Sequence, residues 1–130
     1  MKKVAFICVH NSCRSQIAEA LGKKFFKDCF ECYSAGTKPK NEINNDAVRI
    51  LQGMYNINMT KSQYPKLIKD IPQCDIYISM GCNVKCTVIP GAKNNNWGIT
   101  DPTGKDDSFF ISVIEDIKSK LDNLKNELSN

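Results

Sequence analysis

Apolar residues in this chain form short continuous runs that are separated by stretches of helical spacing. The run KVAFICV at 3–9 is almost continuously apolar and contains β-branched residues, as expected of a strand buried on both faces. FECYSA at 30–35 alternates and ends at Gly36, which predicts a second strand. CDIYISM at 74–80 is again apolar and predicts a third.

Helices are predicted between these strands and after them. Ile17, Ala18, Leu21 and Phe25 recur at helical spacing behind the first strand. Asn45 or Asp46 could cap a second helix that ends near Gly53. The last helix gives the clearest pattern, with one apolar stripe made of Phe110, Val113, Ile114, Ile117, Leu121, Leu124 and Leu128.

Three regions have weaker patterns. A short helix opened near Pro65 is expected at 64–71, and NWGIT at 96–100 predicts a short fourth strand. The run NNN at 94–96 is expected to be a loop.

The alternation of strands and helices predicts an α/β fold, with a parallel sheet covered by helices on both faces, in one domain over 1–130. Sheets of this type bind ligands at the carboxyl ends of their strands. The segments 8–16, 81–93 and 100–105 all leave predicted strands at that end.

Composition narrows the class of protein. No stretch approaches a membrane span, and MKK at the start leads directly into a strand, so we expect a cytoplasmic protein that binds no membrane. The net charge of +4 comes from scattered lysines and not from a basic patch, which argues against nucleic-acid binding. We expect a monomer.

The seven cysteines and the single histidine, His10, bear on the chemistry. In a reducing compartment, cysteines are more often buried, catalytic or metal-binding than joined in structural disulfides. One histidine argues against mixed Cys/His zinc sites and against a catalytic triad with its histidine elsewhere.

The stretch CVHNSCRSQ at 8–16 joins the first strand to the first helix. Unpaired N–H groups and a dipole equivalent to roughly half a positive charge make such a turn an anion site. Arg14 would add a bidentate guanidinium. Cys8 would lie beneath the anion as a nucleophilic thiolate, with Ser15 as its hydrogen-bond donor and Asn11 holding the shape of the loop.

The alternative is that Cys8 only packs in the core and Arg14 is a surface residue. Cys13, at the helix start, is expected to be a packed small residue. A zinc site that joins Cys29 and Cys32 to Cys82 and Cys86 is also conceivable. It is disfavoured because 29–34 reads as strand, where positions i and i+3 point to opposite faces. Packing roles are expected for Cys29, Cys32 and Cys74.

Several motifs together resemble the low-molecular-weight tyrosine phosphatase superfamily and, within it, the thioredoxin-coupled arsenate reductases. They are CVHNSCRSQIAEA at 8–20, YSAG at 33–36, GCNVKC at 81–86 and WGITDPTGK at 97–105. The resemblance implies a four-stranded parallel sheet and an oxyanion loop at 8–15. The residues that would bind the oxyanion are Val9, His10, Asn11, Ser12, Cys13, Arg14 and Ser15.

The resemblance also implies a reaction, with arsenate as substrate and thioredoxin as reductant. Cys8 would attack arsenate with Asp101 as general acid. Cys82 would then attack Cys8 to release arsenite, and Cys86 would attack Cys82 to give a disulfide that thioredoxin reduces. No cofactor and no metal are expected.

The runner-up is a tyrosine phosphatase acting through a phospho-cysteine. Phosphatases of this fold place aromatics directly after Asp-Pro, whereas this chain has TGK at 103–105, which favours the reductase. A module that binds an anion without turnover also stays open. Some family members hold potassium through residues that match Asn11, Glu19 and Ser34, but a further aspartate used there has no clear counterpart near 64–66, so the potassium site stays undecided.

Overall fold

The computed structural model describes residues 1–81 and 88–129. Four strands and three α-helices occur in these ranges: β1 (Lys3–Cys8), α1 (Arg14–Phe25), β2 (Glu31–Gly36), α2 (Asn45–Tyr55), β3 (Ile76–Ser79), β4 (Lys93–Asn96) and α3 (Asp107–Leu128). Two short 3-10 helices lie at Met59–Lys61 and Ile68–Asp70. No helix in the described ranges combines the length and apolar character needed to cross a membrane.

The strands form one parallel sheet in the order β2-β1-β3-β4, which confirms the predicted fold class. Strand β1 is central, pairs with β2 and β3, and is buried from Val4 to Cys8, as its apolar run requires. Its last residue, Cys8, lies beside Gly36, the last residue of β2. The carboxyl ends of these strands therefore meet at one edge of the sheet.

The three α-helices share one large core with one side of β1. Val4 and Phe6 pack there with the buried stripes of α1 and α3 and with Leu51 of α2. The opposite side of the sheet carries a smaller cluster around Ala5 and Ile7, covered by the 3-10 helix Ile68–Asp70 and neighbouring segments. The apolar stripe predicted for the last helix is confirmed: six of its seven residues are buried on α3, and Leu128 is half-buried against the same core.

Helix α2 begins and ends at other residues than the sequence predicted. Its N-cap is Asn44, whose side chain accepts a hydrogen bond from Ala47 N at 3.0 Å, and not Asn45 or Asp46. The helix passes Gly53 and ends at Tyr55, where Asn56 adopts φ +56° in the left-handed region. Asparagine tolerates that conformation and so replaces the expected glycine.

The fourth strand was predicted in the wrong place. It is Lys93–Asn96, so NNN at 94–96 is strand and not loop, while 97–100 follows it. An edge strand buries little and needs no apolar run, so hydrophobic pattern alone could not reveal it. Asn94 also bonds to the backbone of Ile89 and Ala92 through its side chain, which ties the strand to the preceding turn.

The helix predicted over 64–71 was wrong apart from the turn Ile68–Asp70. The chain before that turn is extended, with Leu67 bridged to Gly36. The N–H of Gly36 donates to Lys66 O at 2.8 Å. This segment therefore lies beside the end of β2 and brings residues 64–66 beneath the loop that follows β1.

Candidate anion site at the end of the first strand

Cys8 ends β1 and is 7% exposed. Its Sγ lies 2.8 Å from Ser15 Oγ, in the first turn of α1. The loop between them therefore closes on itself, with the sulfur at its base. The N-cap residue, Cys13, makes no side-chain hydrogen bond to the helix. The first N–H groups of α1 are therefore not capped by its thiol.

The backbone of this loop is held from outside by the segment 37–44. The carbonyl oxygens of Val9, His10 and Ser12 accept hydrogen bonds from the N–H groups of Lys38, Lys40 and Asn44, at 2.8, 3.0 and 2.7 Å. A trans peptide points its C=O and N–H in opposite directions. The peptides that turn their oxygens outward therefore turn their N–H groups the other way, and the loop offers donors to an anion.

Gly36 permits this close approach of loop and sheet. A Cβ at this position would lie 2.6 Å from Val9 O and 2.8 Å from Cys8 O. Any larger residue would push the loop off the end of β2.

Asn11 lies at the centre of the loop, fully buried and with φ +48°. Its side-chain oxygen accepts from Lys66 N at 3.0 Å and from Gln16 Nε2 at 3.1 Å. Gln16 is held in turn by Gln63, whose Nε2 donates to Gln16 Oε1 at 2.7 Å. The sequence analysis missed both glutamines, because a buried amide pair leaves no pattern in the sequence.

Arg14 is the first residue of α1, and its Nη1 donates to Ile99 O at 2.8 Å. Ile99 is anchored in turn, since its N–H donates to Met80 O at 2.6 Å. Gly81 passes beside the guanidinium with φ +147°, and a Cβ there would lie 2.6 Å from Nη1. The segment after β4 thus orients the arginine toward the end of β1.

Asp101 follows Ile99 and is bound by Thr103. Its Oδ1 accepts from Thr103 Oγ1 at 2.7 Å and from Thr103 N at 3.1 Å. Burial raises the pKa of Asp101, but these hydrogen bonds and the charges of Arg14 and Lys40 outweigh burial, and the net pKa lies below its ordinary value. An aspartate in a turn commonly accepts a hydrogen bond from the backbone N–H two residues on, so the contact of Asp101 with Thr103 N could have been expected from the sequence.

The loop after β1 and the segments around Gly81 and Asp101 line a cavity of about 300 Å³ that is open to solvent. Of the residues predicted for the site, Cys8, Val9, His10, Ser12, Cys13, Arg14 and Asp101 line it; Asn11 and Ser15 lie behind it. Lys40, Gly81 and Thr103 complete the wall. None of the described residues that line the cavity is Phe, Tyr or Trp. The predicted shuttle residues Cys82 and Cys86 lie outside the described residues.

The other cysteines fit packing roles. Burial, followed by the negative charge of Asp101, raises the pKa of Cys13 to about 12. Burial likewise raises the pKa of Cys32 to about 12 and that of Cys74 to about 11. These thiols are protonated at neutral pH and are poor nucleophiles.

Cys29 lies before β2, in a turn, so the strand argument used against zinc does not apply to it. In the described ranges no three His, Cys, Asp or Glu side chains form a metal-binding group. The four-thiolate alternative needs Cys82 and Cys86 and therefore stays untested.

Glu19, Ser34 and Asn11, which the family resemblance associates with potassium, do meet behind the loop. The Ser34 hydroxyl donates to Glu19 Oε1 at 2.5 Å, and Asn11 Nδ2 donates to Ser34 Oγ at 3.0 Å. The Glu19 carboxylate is already paired with two ammonium groups, those of Lys23 and Lys66. This arrangement does not fit a potassium ion, because protein cations compensate the carboxylate and Asn11 turns its amide nitrogen toward the serine.

The fold and this loop define a class of protein: a parallel α/β domain with a thiol and an arginine in one cavity at the edge of its sheet. Residues 3–130 match the family described as low molecular weight phosphotyrosine protein phosphatase, and the chain belongs to that family.

Its relatives point to one branch. The chain is 32% identical to "Arsenate reductase 2" of Staphylococcus haemolyticus, over 95% of this chain and 96% of the relative. A solved structure of "an arsenate reductase in the phosphate binding state" superposes with a TM-score of 0.85 at 27% identity, covering 98% and 99% of the two chains. A thioredoxin-dependent arsenate reductase of Corynebacterium glutamicum gives 0.79 at 33% identity, covering 99% of this chain and 62% of the other.

Proposed function

We propose that this chain is an arsenate reductase that uses Cys8 as its nucleophile and thioredoxin as its reductant. The observation that carries the proposal is the Cys8–Ser15 pair at the base of an anion cavity, in a chain whose full-length relatives are named arsenate reductases. The cavity wall supports a small inorganic substrate, since its described part has no aromatic side chain to grip a phenyl ring.

In the first step the Cys8 thiolate attacks the arsenic(V) atom and an oxygen leaves as water. Asp101 supplies a proton to that oxygen, and Arg14 with the loop N–H groups balances the negative charge. The product is a covalent bond between Cys8 Sγ and arsenic, still in its +5 state.

In the second step Cys82 attacks Cys8 Sγ. The S–As bond breaks and its electron pair stays on arsenic, which leaves as arsenite in the +3 state, while a Cys8–Cys82 disulfide forms. Cys86 then attacks Cys82 and releases the Cys8 thiolate. The two electrons given to arsenic thus leave a Cys82–Cys86 disulfide, which the dithiol of thioredoxin reduces.

The test is arsenate-dependent NADPH consumption in the presence of thioredoxin and thioredoxin reductase. Cys8→Ser, Cys82→Ser and Cys86→Ser should each abolish turnover. Cys29→Ser is the matched control, because Cys29 does not line the cavity, and should keep it. Alkylation and peptide mapping after one arsenate turnover should find Cys82 joined to Cys86. Turnover that survives in Cys82→Ser would overturn the thiol sequence.

The family itself supports a second candidate, a phosphatase in which Cys8 forms a phospho-thiol that water hydrolyses. That reaction needs neither Cys82 nor Cys86. Rapid hydrolysis of p-nitrophenyl phosphate without arsenate reduction would establish it. If Cys8→Ser binds phosphate as before and the wild type turns over neither substrate, the chain is an anion-binding module.

A further inference from the structure

We infer that Lys66 is a positioning residue, a built-in cation behind the oxyanion loop that takes the place of a bound monovalent metal ion. The inference rests on the proposed function only in taking Cys8 as the nucleophile. It starts from Glu19, a residue that is 3% exposed in the core of the fold. A buried carboxylate needs a partner cation, because an unpaired buried charge is strongly destabilising.

Two lysines are within ion-pair reach of Glu19, but they differ in how far the protein encloses them. Lys23, one turn along α1, donates a hydrogen bond to Glu19 Oε2 from a side chain that is 45% exposed. The Lys66 side chain is 12% exposed, with its Nζ 3.8 Å from Glu19 Oε1. Its Nζ also donates to Tyr64 O at 2.8 Å. Of these two lysines, Lys66 is therefore the one whose ammonium group is enclosed by protein, as a bound structural ion would be.

The backbone of Lys66 is fixed to the same loop. Its N–H donates to Asn11 Oδ1 at 3.0 Å, and its C=O accepts from Gly36 N at 2.8 Å. A backbone N–H can only donate, so it sets the orientation of the Asn11 amide, with the oxygen toward Lys66 and the nitrogen toward the serines. One residue therefore supplies both the charge and the orientation.

The direction of the hydrogen bonds then follows from Glu19 to the nucleophile. An ionised carboxylate only accepts, so Ser34 donates to it, and Asn11 Nδ2 donates to Ser34. The second hydrogen of Asn11 Nδ2 goes to Ser15 Oγ at 2.8 Å. Because Ser15 Oγ already accepts from Asn11, its single proton is directed at Cys8 Sγ, 2.8 Å away. Such a bond stabilises the thiolate.

The first experiment measures the alkylation rate of Cys8 by iodoacetamide at neutral pH, followed by peptide mass spectrometry. Lys66→Met keeps the stem and the backbone N–H that orients Asn11, and removes only the charge beside the Glu19 carboxylate. It should slow alkylation about tenfold, in line with a weaker hydrogen bond to a charged sulfur. Lys23→Met is the matched control on the same carboxylate and should alkylate within about twofold of wild type, because water can reach that position. Equal slowing in both variants would overturn the inference that Lys66, and not Lys23, is the positioning cation. An unchanged alkylation rate in Lys66→Met would overturn it as well.

The second experiment separates an ionic role from packing. Lys66→Ala opens a space beside Glu19 Oε1 and Tyr64 O, and potassium should fill it. Melting curves in potassium chloride and in choline chloride at equal ionic strength should differ for Lys66→Ala and coincide for wild type, since a ligand that binds only the folded state raises its stability. Potassium should also restore the alkylation rate of that variant.

A potassium-specific rise in the melting temperature of the wild type would overturn the inference, and so would no potassium effect in Lys66→Ala. Neither readout needs arsenate. A chain that fails to reduce arsenate but passes both tests would leave the Lys66 inference standing and remove the proposed activity.

Discussion

Replacing Gly36 with alanine should separate the loop from the sheet while leaving the rest of the fold in place. The added Cβ would lie 2.6 Å from Val9 O, 2.8 Å from Cys8 O and 3.0 Å from the Asn11 Cβ. Two of these three neighbours are backbone atoms, which cannot turn away as a flexible side chain can. Val9 O would have to retreat from 2.6 Å to the 3.4 Å at which ordinary contact begins, a shift of about 0.8 Å.

Two magnitudes follow from this shift. Overpacking of this kind costs about 1–3 kcal/mol of unfolding free energy. Misplacing a reacting group by roughly 1 Å costs on the order of 100-fold in rate. We therefore expect Gly36→Ala to lose about 1–3 kcal/mol in urea unfolding, and to slow arsenate turnover on the order of 100-fold.

Gly53→Ala is the matched control. Gly53 lies inside α2, and a Cβ there would meet nothing within 4 Å. Alanine should stabilise that helix by about 0.5–1 kcal/mol and leave turnover unchanged. If Gly36→Ala unfolds within about 0.5 kcal/mol of wild type and keeps its turnover, the loop does not depend on close approach to β2, and the reasoning fails.

Three further substitutions test the cavity wall. Thr103→Val removes a hydrogen bond that lowers the pKa of Asp101, so the fall in kcat that follows ionisation of this acid in the substrate complex should move to higher pH; an unchanged pH profile of kcat would contradict this. Lys40→Met should raise the KM for arsenate about tenfold at low salt with little change in kcat, whereas Lys38→Met, which does not line the cavity, should change neither. Cys13→Ala should keep most of the turnover, because a thiol with a pKa of about 12 is protonated at neutral pH, and complete loss would show that Cys13 takes part.

The parts of the molecule that could be predicted from the sequence are those built from neighbouring residues. The apolar run of β1, the turn after it and the start of α1 are contiguous, so the approach of Cys8, Arg14 and Ser15 follows from local geometry alone. The stripe of α3 is local in the same sense. Strand β4 was not predicted in its place because this edge strand, with its three asparagines, is stabilised by backbone pairing with β3. Hydrophobic periodicity gives no sign of such pairing.

The support of the loop could not be predicted because it comes from distant parts of the chain. Its carbonyl oxygens are bound by residues 38–44, and its central asparagine is bound by Lys66. Each of these contacts depends on how β2 ends and where the chain returns. The wrong helix at 64–71 hid this, since a helix would have taken up the backbone groups of Lys66 that bond to Asn11 and Gly36.

The ionisation of the groups around the cavity imposes an order on the proposed reaction. Before substrate binds, hydrogen bonds and nearby cations hold the pKa of Asp101 low, so its carboxylate carries no proton to give. An arriving oxyanion adds negative charge beside that carboxylate, and two like charges about 4 Å apart repel by about 4 kcal/mol at the effective dielectric of a protein surface. This repulsion raises the pKa of Asp101 against the pull of Arg14, Lys40 and Thr103. Asp101 therefore gains its proton, from the substrate or the solvent, only when an anion is bound. The same binding event thus supplies both the protonated Asp101 and the substrate oxygen that receives its proton.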